Sequence, residues 1–412
     1  METQKRDKLQ FRIDLVLTVF FLVTIFGLLI GTILFEHGLF GHAFYMQYVG
    51  QLLEDPEDFT PWEWVEASIK SLDSFIASNI TGTETLSKLN STVQYALGKR
   101  LVNTGGTQMI RLNTGHLYDL QSEMSMKDSA NDIVAMRDAV PEGTPFLFVY
   151  AHPTLYDEEA QMPEGYGFLD YNNRQADEIL GMLRGADVDV IDSREVWRES
   201  GLPLEDFVLY TDQHWTTRAA MTIAQSIATR AEEATGVAVP SERLDIDQFD
   251  TEVYPKLFMG TYGQRVGTLI IDPDDITTYA PRYDTKIRRY TLQRGVETDV
   301  EGTFDEVNLR RDLLVPIPGK TWNMGAYMDY GLTEDYEIFT NEDGADLTIL
   351  LARDSFGGAV GRFLSLVAKK VYSVDLRSYY SGTLADWLEY DPDIVVVAYS
   401  MQMLRNESYV FE

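Results

Sequence analysis

The sequence predicts an α/β fold, a parallel sheet with helices on both faces, preceded by one membrane-crossing helix near the N-terminus. Short apolar runs alternate with helix-length amphipathic stretches from about residue 125 to 240, and again from about 345 to 400. Several of those runs are apolar without a break, as in Pro145-Phe146-Leu147-Phe148-Val149-Tyr150, the pattern of a strand buried on both faces. Leu15 to Phe35 is apolar apart from threonines and glycines. At ~1.5 Å per residue it is long enough to cross a ~30 Å hydrocarbon core.

The elements follow in chain order. Lys5, Arg6, Lys8 and Arg12 precede the apolar segment, so residues 1–14 are expected on the cytoplasmic side and the rest of the chain outside. The segment ends in Phe35-Glu36-His37 rather than in small residues, which fits a retained anchor at 15–35 better than a cleaved signal. Residues 36–105 read as a juxtamembrane helical stalk, broken by Pro56, Pro61 and Asn79-Ile80-Thr81-Gly82-Thr83. The extracytoplasmic domain then occupies 106–412, opening with a short hairpin over Met109–Leu120. Tyr171–Arg184 has helical spacing, Val188–Ile191 is a short strand, and Thr216–Glu233 is an amphipathic helix with threonines at its start. Residues from about 240 to 345 are rich in Asp, Gly, Pro and Tyr and are expected to form an irregular insertion with short strands. Strand Leu347–Ala352, helix Phe356–Ala368, strand Val371–Leu376, helix Leu384–Tyr390 and strand Ile394–Tyr399 complete the alternation.

Composition narrows the function. The net charge of -31 argues against a nucleic-acid partner, because phosphate binding needs a basic face. With no cysteine, disulfides, thiolate metal sites and a cysteine nucleophile are excluded.

Two runs carry the chemistry. In Tyr210-Thr211-Asp212-Gln213-His214-Trp215-Thr216, a carboxylate and an imidazole stand two residues apart, on the same side if the segment is extended. In Leu350-Leu351-Ala352-Arg353-Asp354-Ser355-Phe356-Gly357-Gly358, a serine ends an apolar strand and precedes a helix, whose free N–H groups and positive end favour developing negative charge. A serine hydroxyl becomes nucleophilic when a base takes its proton, and the base works best when a carboxylate orients it. Ser355, His214 and Asp212 supply those parts. An Asp-Ser pair before a helix also serves as an ordinary N-cap, and a histidine beside a tryptophan also serves as a packed core residue. Of the five histidines, His37 and His42 adjoin the membrane segment, leaving His116 and His152 as rivals to His214. No second histidine or carboxylate falls at a spacing such as HExxH, so no metal site is expected. Ser355 and His152 fall at the carboxyl ends of predicted strands, where open α/β sheets bind ligands.

The Asp-x-His-Trp run, preceded by Leu209-Tyr210-Thr211 and followed by a helix, resembles the signature of DHHW-type proteins. These belong to the SGNH hydrolase-like superfamily, which includes the alginate O-acetyltransferases. Arg353-Asp354-Ser355-Phe356-Gly357 is similar to their nucleophile turn, and Val374-Asp375-Leu376-Arg377-Ser378-Tyr379-Tyr380 to the D-x-R-Y-Y run that follows it. The likeness runs from about residue 105 to the end and implies a three-layer SGNH-like fold. It makes Ser355 the nucleophile, His214 the base and Asp212 its orienting partner. Two departures stand out. Gln213 occupies the second position of DHHW, with a side chain expected to point away, and Arg353 replaces the glycine of the GDS block. No block-III asparagine is identifiable, so the oxyanion donors fall to the Ser355 N–H with Gly260 or Gly263. Arg377 is a candidate for a substrate carboxylate or phosphate, or for a structural ion pair. Tyr380 is a candidate for stacking on a sugar, or for the core. His152 is a candidate for the pocket wall, or for a loop.

The resemblance implies a membrane-anchored, extracytoplasmic O-acyltransferase, with acetyl as the expected group and a cell-surface polysaccharide as substrate. It needs no cofactor. Such proteins often work beside a multispanning MBOAT-type acyltransferase, and because acetyl-coenzyme A is not expected outside the cell, the topology calls for such a donor. A carbohydrate esterase of the same fold and a non-catalytic polymer-binding or assembly protein are the alternatives.

Overall fold

The computed structural model describes residues 83–104, 107–157, 161–327 and 334–406, together with Val19 and Val23. The predicted anchor at 15–35, apart from those two positions, and the 36–82 part of the predicted stalk lie outside the described residues. Among those residues no helix is long and apolar enough to cross a membrane. The chain divides into two units, Met1–Asn90 and Ser91–Glu412. A helix begins in the first at Thr83 and runs to Ala96.

The second unit opens with a small antiparallel sheet of β1 (Leu101–Thr104), β2 (Thr107–Arg111) and β3 (Leu117–Asp119), the last two being the expected hairpin. The main sheet begins with β4 (Phe146–Ala151) and β5 (Asp189–Asp192). Then come a two-stranded ribbon, β6 (Phe249–Phe258) with β7 (Asp274–Pro281), and the strands β8 (Ile287–Gln293), β9 (Val296–Gly302) and β10 (Tyr336–Thr340). β11 (Ala345–Arg353), β12 (Ala368–Asp375) and β13 (Ile394–Ser400) complete the set. The main sheet has the order β5-β4-β13-β11-β12-β10-β8-β9.

Five of those strands, from β5 to β12, run parallel as expected. The other three are antiparallel, so the sheet is mixed rather than parallel throughout. They come from the stretch expected to be irregular. β8 and β10 bury only alternate positions and β9 buries none, so their apolar residues are diluted by charge where the parallel strands are apolar continuously. The β8–β9 turn is also hard to read: Arg294 and Gly295 both have positive φ, 49° and 77°, as a two-residue hairpin needs, but the first is not a usual turn residue.

Strand alternation divides the core into two layers, one on each face of the sheet. On one face Leu147, Val149, Ile349, Leu351, Val396 and Ala398 pack against helices Ser193–Ser200, Thr217–Thr235 and Gly357–Leu364. On the other, Phe148, Tyr150, Leu350, Ala352, Val395 and Val397 pack against Lys127–Ala139, Tyr171–Gly185, Leu384–Leu388 and Met401–Asn406. The helix expected over Phe356–Ala368 stops at Leu364 because Leu366, Val367 and Ala368 are drawn into the core at the start of β12. The Asn341 side chain satisfies the Ser365 carbonyl at that end.

Registers align the carboxyl ends of the parallel strands: Arg353 stands opposite Asp375 and Ala398, and Ser400 opposite Ala151. Behind this edge lies a buried ionic network. Glu337, fully buried, lies 2.8 Å from Arg289, 3.1 Å from Arg362 and 3.7 Å from Arg353. Glu334 joins Arg289 and Arg362 at 3.0 and 3.1 Å. Burial pushes the Glu334 carboxyl up, but the Arg362, Arg289 and Arg353 charges outweigh it and bring it down to about 2. Removing one partner of such a network strands the others in a dry interior. Glu337→Ala should therefore cost about 3–5 kcal/mol in urea unfolding; a loss no larger than that of an exposed ion pair contradicts this role.

Candidate active site

Ser355 lies in the turn that ends β11, and Asp354 fixes that turn. Its buried carboxylate accepts the backbone N–H groups of Phe356 at 2.9 Å and Ser400 at 2.8 Å, tying the turn to the end of β13. The Asp354 N–H donates to the Ala398 carbonyl at 3.2 Å. Arg353, which replaces the GDS glycine, projects into the ionic network, where Nε donates to Ser373 Oγ at 3.1 Å and Nη2 to the Glu334 carbonyl at 3.2 Å. Gly357 is required on steric grounds, because a Cβ there would overlap that of Arg353.

Asp212, His214 and Trp215 sit on a loop, not on the extended segment expected. Val208 bridges Trp215, and the Thr216 N–H returns to the Phe207 carbonyl at 2.9 Å, so the chain doubles back between them. Asp212 and His214 reach the same side because Asp212 Oδ1 accepts the His214 backbone N–H at 3.3 Å, an Asx-type turn. The loop is held from below by Asp274, whose carboxylate accepts the N–H groups of Tyr210 at 2.7 Å and Thr211 at 3.0 Å, and also the Thr211 hydroxyl.

The three predicted residues meet. His214 Nδ1 lies 2.6 Å from Asp212 Oδ1, and Nε2 lies 2.8 Å from Ser355 Oγ. An ionised Asp212 can only accept, so Nδ1 carries the proton and Nε2 is left to accept from the serine hydroxyl. Asp212 Oδ2 accepts the Thr261 N–H at 2.7 Å. Burial raises the Asp212 carboxyl, but the His214 contact and the Thr261 and His214 N–H groups outweigh it and hold it below the ordinary value. The imidazole packs between Phe356 and Tyr327, with centroids 4.6 and 5.3 Å away. Trp215, fully buried, donates from Nε1 to the Phe356 carbonyl at 3.1 Å, and its own carbonyl accepts the Tyr327 hydroxyl at 2.6 Å.

The secondary candidates fare differently. Gly260 and Gly263 are not oxyanion donors: their N–H groups go to the Thr211 hydroxyl at 2.8 Å and the Thr211 carbonyl at 2.9 Å. They are glycines because a Cβ at Gly260 would overlap Asp212 and one at Gly263 would overlap Met259 and Thr211. His152 does not line the pocket. It is fully buried, its Nε2 donates to the Leu155 carbonyl, its Nδ1 accepts from Tyr150, and burial lowers its pKa to about 3. His116, the other rival to His214, stacks on Tyr210 at 3.9 Å, with its pKa lowered to about 4 by burial. Tyr380 is half exposed and borders neither the cavity at Ser355 nor the one that shares Gln213, Ser400 and Gln402 with it. Arg377 forms a two-pronged ion pair with Asp375, at 2.8 and 2.5 Å, and also lines the cavity at Ser355.

Sequence reasoning missed Asp274, which is one acid among several in Asp272-Pro273-Asp274-Asp275, and misjudged Gln213. That side chain does not point away. It borders a cavity of about 270 Å³ with Ser355, Asp354, Arg377, Ser400 and Gln402, and an adjoining one of about 180 Å³. A separate cavity of about 680 Å³ lies along Tyr210 and Asp274 and touches neither Ser355 nor His214. Among the described residues the Ser355 N–H makes no hydrogen bond, which leaves it available to an oxyanion.

Residues 114–315 match the family model for the SGNH hydrolase-like domain of the acetyltransferase AlgX, a stretch that includes Asp212 and His214 and ends before Ser355. Among solved structures, a DHHW family protein from Eubacterium siraeum DSM 15702 is 18% identical, with a TM-score of 0.56 over 76% of this chain and 99% of its own. PatB1 of Bacillus cereus, solved with a sulfonyl adduct, is 16% identical, with a TM-score of 0.59 over 73% and 97%. These likenesses show the fold. No curated protein matches.

Burial raises Asp274 to about 7, even against its Thr211 and Tyr210 donors. A raised value means that the folded protein holds this proton more tightly than the unfolded chain. That contribution is present below the ordinary carboxylate value of about 4 and is lost as pH rises toward 7. Asp274→Asn should therefore flatten the fall in melting temperature between those values; a slope identical to that of the unmodified protein contradicts this.

Proposed function

We propose that this chain, which carries an SGNH hydrolase-like domain of the acetyltransferase AlgX type, is an extracytoplasmic O-acyltransferase that moves an acetyl group onto a cell-surface polysaccharide. The observation that carries this reading is the unbroken hydrogen-bonded line from Asp212 through His214 to Ser355 at the carboxyl edge of the sheet. His214 Nε2 takes the Ser355 proton as Oγ attacks the carbonyl of an acyl donor, Asp212 steadies the resulting imidazolium, and the Ser355 N–H receives the oxyanion. His214 then returns the proton to the leaving group, leaving an acyl ester on Ser355. A sugar hydroxyl, deprotonated by the same histidine, accepts the acyl group and frees the serine.

The segment 15–35 serves in this reading as an anchor, with residues 1–14 cytoplasmic and the domain from about 106 onward outside. Its length, its lack of charge and the preceding basic residues support that placement. Outside the cell the acyl group has to be delivered across the membrane, and an MBOAT-type acyltransferase is the fitting partner.

The test is acetyl transfer from p-nitrophenyl acetate to maltose, followed by product mass. The unmodified protein should form acetylated maltose, and Ser355→Ala should lower the rate at least ~10³-fold. Acetate release with no acetylated sugar would make the protein an esterase; undiminished transfer by Ser355→Ala would exclude the serine mechanism.

A further inference from the structure

The smaller cavity, about 180 Å³, adjoins the Ser355 cavity through Gln213, Ser400 and Gln402. At ~30 Å³ per water this is the room of about one sugar ring. Its wall is rich in carboxamides, with Gln121, Asn172, Gln213 and Gln402 all contributing. Carboxamides donate and accept side by side, which suits hydroxyl groups and carries no charge to match an ion. Asp119 and Arg265 add one charge of each sign.

Asn172 gives an independent sign of a missing ligand. It is 2% exposed, and its Nδ2 donates to the Tyr118 hydroxyl at 2.6 Å. That hydroxyl donates in turn to Asp170 Oδ1, so Tyr118 has to accept from Asn172 and the orientation of the amide is set. Asn172 Oδ1 is then left buried with no partner. A buried acceptor without a donor is costly, and a ligand hydroxyl would supply one. The Tyr262 hydroxyl donates to Gln213 Oε1 at 3.4 Å, which leaves the Gln213 N–H groups for a ligand.

We infer that this cavity is the acceptor subsite and that it takes one neutral pyranose ring, with Asn172, Gln213 and Gln402 placing a ring hydroxyl at the acylated Ser355. Neutrality follows from the carboxamide wall and from a net charge of -31, which repels polyanions at long range. The inference rests on the acyl-transfer reading. In the transfer step the sugar hydroxyl oxygen forms a bond to the acyl carbon while its proton passes to His214 Nε2. The bond between that carbon and Ser355 Oγ then breaks, and Oγ recovers the proton. Gln213 and Gln402 act on the acceptor, so they decide whether a sugar or water takes the acyl group.

The experiment uses the full chain, p-nitrophenyl acetate as donor, and methyl β-glucopyranoside or its uronate counterpart as acceptor. Acetyl on Ser355, read by peptide mass, tests the underlying mechanism separately. The subsite is read from the ratio of acetylated glycoside to released acetate. Gln402 is exposed and Gln213 partly so, which makes alanine at either position compatible with folding. Gln213→Ala and Gln402→Ala should each lower that ratio by about tenfold, the effect of losing one good hydrogen bond, and the neutral glycoside should be the better acceptor. If Ser355 is acetylated but the ratio stays unchanged in both variants, or the uronate is preferred, the subsite assignment is overturned. If Ser355 is never acetylated, the mechanism fails first and the subsite with it.

Discussion

Two turns that are 141 residues apart in the chain must meet within one hydrogen bond, and the Trp215 indole makes that meeting possible. Its N–H reaches the carbonyl of Phe356, the residue after Ser355, while its backbone follows directly from His214. The residue beside His214 is thus bonded to the residue beside Ser355. With the ring fully buried in the core, this bond is sheltered from water and holds the two loops in one register. Tyr327 braces the same residue from the other side through the Trp215 carbonyl.

Each loop is also fixed from behind, by a different device. Asp354 staples the serine turn to β13, and the network around Glu337 anchors Arg353 one residue before it. The Asp212 loop rests on Asp274, and Gly260 and Gly263 let the next segment approach closely enough for the Thr261 N–H to reach Asp212. Charge placement follows the same logic. The acidic exterior leaves the interior free to hold arginines paired with a few carboxylates. Among the described residues the guanidinium that lines the Ser355 cavity, Arg377, is matched by Asp375.

Much of this was legible in the sequence, and the parts that were not share a cause. Continuous apolar runs such as Ile394–Tyr399 identify buried parallel strands because nothing else needs so many β-branched residues in a row. Asp212, His214 and Ser355 stood out because few residue types combine into an activated nucleophile, and few histidines compete. The antiparallel strands were obscured because β8 and β10 bury only alternate positions and β9 buries none, so all three read like loop. The roles of Gly260, Gly263, Asp274 and Gln213 depend on which backbone lies opposite, and local pattern holds no record of that. His152 looked available at a strand end, yet Tyr150 and the Leu155 carbonyl occupy both its nitrogens.

The central claim is that Ser355 is made nucleophilic by His214, and labelling with a fluorophosphonate tests it most directly. The account predicts one label per chain, on Ser355, with labelling at least ~10²-fold slower in His214→Ala because the hydroxyl then has no base. Labelling at another residue, or at Ser355 with a rate indifferent to His214, would contradict it.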